Sequence, residues 1–507
     1  MAAKIIILVV FALLMIGIGV FTRKNATDVN GFVLGGRSVG PWMTAFAYGT
    51  SYFSAVIFIG YAGQFGWSYG LSSTWIGIGN AIIGSMLAWI VLGNRTRIMT
   101  KHLNVSTMPE YFEKRYDSKA LKIAAALIVF LFLIPYTASV YNGLSTLFNS
   151  AFPGITYTTW IIIMALFTAV YVILGGYKAT AVNDFVQGII MLIGIAAVVV
   201  CAVNNKGGLS AVYESLGQIP SGSVHGTYNS VLGPDPLNLI GVIILTSLGT
   251  WGLPQMVQKF YAIKNEKAIE KGTVISTLFA VVVAGGCYFL GGFGRLFDID
   301  VKTLGYDAII PKMLENLPDL LIAVVILLVL SASMSTLSSL VLTSSSTLTI
   351  DIIKPASKKM TERTQLSVMR VLIAVFIIIS AVLAFVQYKL NISSIAQLMG
   401  ISWGALAGAF LAPFIYGLYW KRATAAGCAA SFVFGVGVMT ANMIFRSYFP
   451  AILRSPVNCG AFVMLAGLVI VPVVSLLTKS PDRAKTDEMF SCYDTAVTGQ
   501  AKEFLGD

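Results

Sequence analysis

The sequence is poor in charge. Only 11% of its 507 residues are Asp, Glu, Lys or Arg, against about 25% in soluble globular proteins. Histidine is nearly missing: His102 and His225 both fall in predicted loops, and no nucleophile–base set accompanies them, which argues against an enzyme. Five cysteines, Cys201, Cys287, Cys428, Cys459 and Cys492, show neither CxxC nor zinc-ligand spacing, so nothing suggests a disulfide framework or a metal site of that kind. There is no low-complexity linker and no heptad run. What the chain has in excess is apolar: 57% of its residues are hydrophobic. Its mean hydropathy of +0.81 leaves little room for a separate soluble domain. The class is an all-α polytopic membrane protein, because in lipid each segment must pair its own backbone groups.

Apolar runs of spanning length fall near 3–22, 41–62, 72–93, 120–147, 156–174, 183–203, 236–257, 272–294, 319–350, 367–387, 394–417, 423–445 and 456–478, thirteen candidate segments. The first is too long for a signal peptide and is followed by Arg23 and Lys24, so it reads as a retained helix. With the N-terminus outside, 26 of the 34 Lys and Arg fall in the inside loops and tail. The inside set includes Arg37, the cluster Arg95 to Lys122, Lys178, Lys259 to Lys271 and Lys354 to Arg370. This bias follows the positive-inside rule and places the C-terminus inside. It also accounts for the net charge of +12 without a nucleic-acid partner. Residues 1–478 thus read as one transmembrane domain and 479–507 as a cytoplasmic tail, in the plasma membrane.

Two segments carry helix breakers. "PWMTAFAYGTSYFSAVIFIGYA" (41–62) has a glycine and three hydroxyl residues in the middle, "YGTSYFSA". "PLNLIGVIILTSLGTWGLPQMV" (236–257) has Gly249, Gly252 and Pro254 within six residues. Proline removes a donor and glycine loosens the turn, so both are expected to unwind near mid-membrane. They are the second and seventh segments. Interrupted helices in corresponding positions of two five-helix halves point to an inverted-repeat transporter with its sites at the breaks.

The ninth segment continues "LLIAVVILLVL" with "SASMSTLSSLVLTSSS", Ser331 to Ser346, in which ten of sixteen residues carry a hydroxyl. On a helix Ala332, Ser335, Thr336 and Ser339 share a face, with Ser338 beside it. Neutral oxygens at close range suit a small hard monovalent cation such as Na⁺ that must also leave. Serine-rich helices also serve close packing, with each hydroxyl bonded to the preceding turn. Asp184, in "GGYKATAVNDFVQGIIM", reads either as the cap of the sixth segment or as the one negative charge for a bound cation.

Together "GFVLGGRSVGPWMTAF", "GLSSTWIGIG", "GGYKATAVNDFVQG" and "SASMSTLSSLVLTSSSTLTIDI" resemble the sodium:solute symporter family, from about Gly31 to about Arg422. The wording of "LGGRSVGPW" and "TMPEYFEKRY" is similar to the bacterial sodium/proline symporter branch. The resemblance implies a LeuT-type fold with an inverted five-helix repeat at about 41–417, two extra helices at 423–478, and alternating access driven by Na⁺. It implies a shared Na⁺ site from the carbonyls of Thr50, Phe53 and Ala332 and the hydroxyls of Ser335 and Thr336. A second Na⁺ site, present in some members, would use Asp184, Ser335, Ser338 and Ser339. Arg37 matches the arginine of the "GGR" motif near the cytoplasmic gate. Ser51, Ser54, Gln64, Tyr136 and Trp251 are the expected solute-side residues. One position departs: proline-type members have an aspartate where this chain has Tyr52. Tyr136 matches a tyrosine of proline-type members and stands where sialic-acid carriers have an arginine.

The expected function is Na⁺-coupled symport of a small organic solute, with proline or a similar small amino acid leading. Pantothenate, a sugar or a monocarboxylate are the alternatives. A channel would show filter motifs or charged rings, and a sensor would need a signalling module for which the tail has no room.

Overall fold

The computed structural model describes residues 2–22, 28–315, 317–357, 359–390 and 393–505, with side chains described between residues 4 and 494. Arg23, Lys24 and Lys358 of the basic loops lie outside the described residues. The main helices are α1 (Ala2–Thr22), α2 (Pro41–Tyr52), α3 (Val56–His102), α4 (Lys119–Ala151), α5 (Tyr157–Asn205), α6 (Pro236–Gly252) and α7 (Pro254–Ala262). They continue as α8 (Glu266–Gly291), α9 (Asp319–Thr347), α10 (Glu362–Leu390), α11 (Ile395–Tyr419), α12 (Ala425–Ile444), α13 (Pro456–Leu477) and the tail helix α14 (Arg483–Leu505).

Among the described residues ten helices are long and apolar enough to cross a membrane, or eleven if the bent pair α6–α7 is one span. Thirteen sequence segments map onto fewer continuous helices because some helices run through two. The 49 residues of α5 exceed the roughly 20 that one crossing needs. They cover both 156–174 and 183–203, joined at Gly176, whose φ of 60° and ψ of −166° only glycine adopts without strain. Within α3, Gly70 (φ 62°) makes the corresponding break between 41–62 and 72–93.

Both expected interruptions are present. α2 ends where Phe53 turns extended (φ −91°, ψ 126°), and the chain resumes as helix at Val56. The hydroxyl of Ser54 accepts from the N–H of Val56 at 3.2 Å, capping the second half. α6 and α7 meet at a 45° bend. Leu253 there is extended (φ −83°, ψ 122°), as the residue before a proline prefers, and Pro254 opens α7. α9 is buried along its whole hydroxyl-rich half and packs against α2, α4 and α5. Elsewhere small residues set the helix spacing. A Cβ on Gly66 of α3 would stand 2.1 Å from the carbonyl carbon of Gly291 on α8, so backbone meets backbone there.

Candidate functional site

The break in α2 and the hydroxyl face of α9 meet at Thr336. Its Oγ1 lies 3.4 Å from the carbonyl oxygen of Thr50, 3.3 Å from that of Ser51, 3.2 Å from that of Phe53 and 3.1 Å from that of Ala332. One hydroxyl proton cannot serve four acceptors. The carbonyls of Thr50, Ser51 and Phe53 are free to converge because the helix stops at Tyr52, leaving its last carbonyls without intrahelical donors. Ser335 donates to Thr50 Oγ1 at 2.7 Å on the flank. The result is a buried cluster rich in oxygen and short of protons. Among the described residues no group of three His, Cys, Asp or Glu forms a metal site. The oxygen chemistry here is that of carbonyls and hydroxyls, the donors an alkali cation takes.

Asp184 is fully buried, eight residues past the Gly176 kink and within continuous helix, so it does not cap a helix start. Neither carboxylate oxygen has a hydrogen-bond partner. Its ion-pair partner is Lys259 Nζ at 4.0 Å. Lys259 is a correction to the sequence reading: counted there with the inside loops, it lies buried on α7. It donates to Ser339 Oγ at 2.9 Å, and Ser339 also shares a hydrogen bond of 2.8 Å with Ser51. Ser51 is therefore held toward α9 and not toward the aromatic side of the break. Ser338 bonds back to the carbonyl of Ser335 at 2.8 Å. Farther along α9, Thr343 donates to Gln258 at 2.8 Å, while Ser345 and Ser346 bond to carbonyls of their own helix, a packing use of hydroxyls.

On the other side of the α2 break stands an aromatic cluster. Tyr136, just after Pro135 in α4, meets Trp403 of α11 edge to face, with centroids 5.7 Å apart. Tyr52 packs on the same indole at 5.7 Å. Tyr136 Oη, Trp403 Nε1, Tyr288 Oη and Asn80 Nδ2 are buried without hydrogen-bond partners. Unpaired buried donors in one neighbourhood are costly unless something else meets them. The sequence reading found Tyr136 and missed Trp403, Tyr288 and Asn80, because an aromatic or amide in an apolar segment looks like ordinary packing. Trp251 is engaged elsewhere, donating Nε1–H to the carbonyl of Ile83 at 2.9 Å. Gln64 accepts from Ser394 at 3.3 Å and lines a 680 Å³ basin with Asp235, Arg295, Arg446 and Arg454.

Arg37 closes the opposite side. Its guanidinium donates to the carbonyls of Tyr261 (3.3 Å) and Thr100 (3.4 Å) and to that of Val105, joining the loop before α2 to α7 and to the end of α3. Burial pulls its pKa below the ordinary value, against a raising by the nearby Tyr261.

The sequence profile described as "Sodium:solute symporter family" matches residues 32–435. The sodium/proline symporter of Staphylococcus aureus (strain NCTC 8325 / PS 47) is 30% identical over 490 residues, covering 94% of this chain and 93% of that protein. A Na⁺-coupled sialic acid symporter, solved in a substrate-bound outward-open state, superposes with a TM-score of 0.76 at 17% identity, over 95% of this chain and 99% of that one. Mhp1, a nucleobase–cation symporter in a closed conformation, superposes with a TM-score of 0.51 at 14% identity, over 91% and 98%. The fold is thus that of the LeuT and nucleobase–cation symporter group. The chain belongs to the sodium:solute symporter family, as a multi-pass Na⁺-coupled secondary transporter of the plasma membrane and not an enzyme.

Proposed function

We propose that this protein imports a small amino acid, proline or a close analogue, together with Na⁺ by alternating access. The observation that carries the Na⁺ site is Thr336, whose hydroxyl stands among the carbonyls of Thr50, Ser51, Phe53 and Ala332. Na⁺ placed among these oxygens, with Ser335 on the flank, would fasten the broken helix α2 to α9. That fastening shapes the solute chamber across the break, so ion and solute must strengthen each other's binding by the same factor. The chamber we assign to Tyr136, Trp403 and Ser54, with Tyr52 as its wall. The outer basin at Gln64 serves as the approach, and Arg37 latches the inner gate.

The architecture that goes with this reading has thirteen passes, with the N-terminus outside, the C-terminus inside and an inverted repeat over about 41–417. Paired breaks in α2 and α6–α7 support it. The amino-acid assignment leans on the curated relatives, whose names specify proline. Tyr52 favours a second reading, another solute such as pantothenate, a sugar or a monocarboxylate. It puts a phenol bonded to the carbonyl of Thr246 (3.0 Å) where proline-type members have a carboxylate.

Proteoliposomes with an inward Na⁺ gradient and labelled proline, other amino acids, pantothenate, sugars and short carboxylates decide between them. Proline or another small amino acid is expected to accumulate only with the gradient. Accumulation of a different class establishes the second reading, and accumulation of none counts against symport of these solutes.

A further inference from the structure

Asp184, Ser335, Ser338 and Ser339 are the residues that the family resemblance offers for a second Na⁺. Here those positions already have a cation. Lys259 Nζ is 2.9 Å from Ser339 Oγ and 4.0 Å from Asp184 Oδ2, and it stands 5.2 Å from the centroid of the Tyr177 ring. Ser339 is held from the other side by Ser51. Lys259 and Asp184 are both buried. A buried ammonium persists only with a counter-charge and acceptors, and a buried carboxylate only with a counter-charge and donors. Each supplies the other's counter-charge at 4.0 Å, and neither Asp184 oxygen has a hydrogen-bond partner. Ser338 has turned its proton onto its own helix, at the carbonyl of Ser335.

A Na⁺ added among these oxygens would sit a few ångströms from the ammonium, with one carboxylate to share between two positive charges. In a buried site like charges at that range repel strongly. The shared site differs. Its four carbonyls converge on Thr336, which has no charge of its own. We infer that the ammonium of Lys259 is a tethered cation that takes the place of the second Na⁺, so that this chain binds and carries one Na⁺ per cycle. The inference deepens the proposed reading and rests on its assignment of the shared site.

A tethered cation has a mechanical consequence. Lys259 belongs to α7, the distal half of the second broken helix, and its partners lie on α5 and α9. Lys259 therefore joins the second broken helix to α5 and α9 without an ion from solution, and Ser339 carries the link on to Ser51 of α2. The coupling ion then acts only at the junction of the α2 break with α9.

The test uses the purified full-length protein in nanodiscs and ²²Na⁺ as the sole ligand. Wild type is expected to saturate at one ion per chain with a Hill coefficient near one. Lys259→Met is expected to reach two ions per chain, and Lys259→Met with Asp184→Asn to return to one. Two ions per wild-type chain overturn the inference and leave the shared site standing. A folded Lys259→Met that stays at one ion overturns it as well. Lys259→Gln replaces Lys259→Met where that variant does not fold, with the same expectation. The wild-type stoichiometry decides if neither folds: one ion supports the inference and two overturn it. No saturable binding to wild type overturns the shared-site assignment and the inference with it, an outcome distinct from two ions.

Discussion

The hydroxyl of Thr336 lies 3.2 Å from the carbonyl oxygen of Phe53, across the gap where α2 stops being a helix. Phe53 is extended and its carbonyl points out of the helical ladder, and Thr336 sits on the hydroxyl face of α9. One contact thus joins the two irregular features of the sequence. On the proposed reading this contact is the seat of ion coupling, because a cation bound among these oxygens would hold the two helices together.

The solute chamber predicts a separation of effects. Tyr136 Oη makes no direct hydrogen bond to the protein, so Tyr136→Phe is expected to leave the fold intact. We expect unchanged thermal stability and unchanged Na⁺ binding, with the KM for the transported solute raised about tenfold, the worth of one hydrogen bond of about 1.4 kcal/mol. A variant with wild-type KM removes Tyr136 from the chamber.

The backbone-to-backbone contact of α3 with α8 predicts a steric failure. Gly66→Ala places a Cβ 2.1 Å from the Gly291 carbonyl carbon, and backbone cannot swing aside as a side chain does. Overpacking costs about 1–3 kcal/mol in an adaptable core and more where backbone must move. Gly17→Ala, with nothing within 4 Å of its Cβ, is the control. Size-exclusion thermostability of the two variants in detergent should separate them clearly. Equal melting temperatures contradict the packing described.

A pH effect comes from Asp307, in the loop between α8 and α9. Burial raises its carboxyl from 3.8 to about 6, against a smaller lowering by the N–H of Ile395, which donates to it at 3.2 Å. A carboxyl whose pKa is higher in the folded state binds its proton more tightly there. Its favourable contribution is full below about pH 4 and is lost as pH rises through about 6. Asp307→Asn should therefore flatten the fall in melting temperature between pH 4 and pH 7 relative to wild type. Parallel profiles contradict this role.

The fold was legible where the sequence departs from apolar monotony. Pro254 with Gly249 and Gly252 announced the α6–α7 bend, and "YGTSYFSA" announced the α2 break, because each has few ways to remain helical. The hydroxyl run showed which helix carries oxygens, and its spacing selected Thr336. Lys259 was hidden by its neighbours. Among Lys264, Lys267 and Lys271 it reads as a loop cation, and only the bend after Gly252 turns it inward to Asp184. Trp403 was hidden because an indole among "ISWGALAG" gives no sign of what its N–H faces. Asp184 left two readings in the sequence. The structure removes the cap, since the helix is continuous through it.

The central claim is that Thr336 and the carbonyls around it hold the coupling ion. Thr336→Ala keeps the helix and removes one oxygen from that set. If contacts to a charged ligand are worth about 1.5–3 kcal/mol, the half-saturating Na⁺ concentration rises about 10- to 150-fold. Direct ²²Na⁺ binding to the purified variant, folded as judged by its melting temperature, measures this without knowledge of the solute. That loss is expected, with Thr336→Ser retaining most of the affinity. A Thr336→Ala protein that binds Na⁺ as wild type does would contradict it.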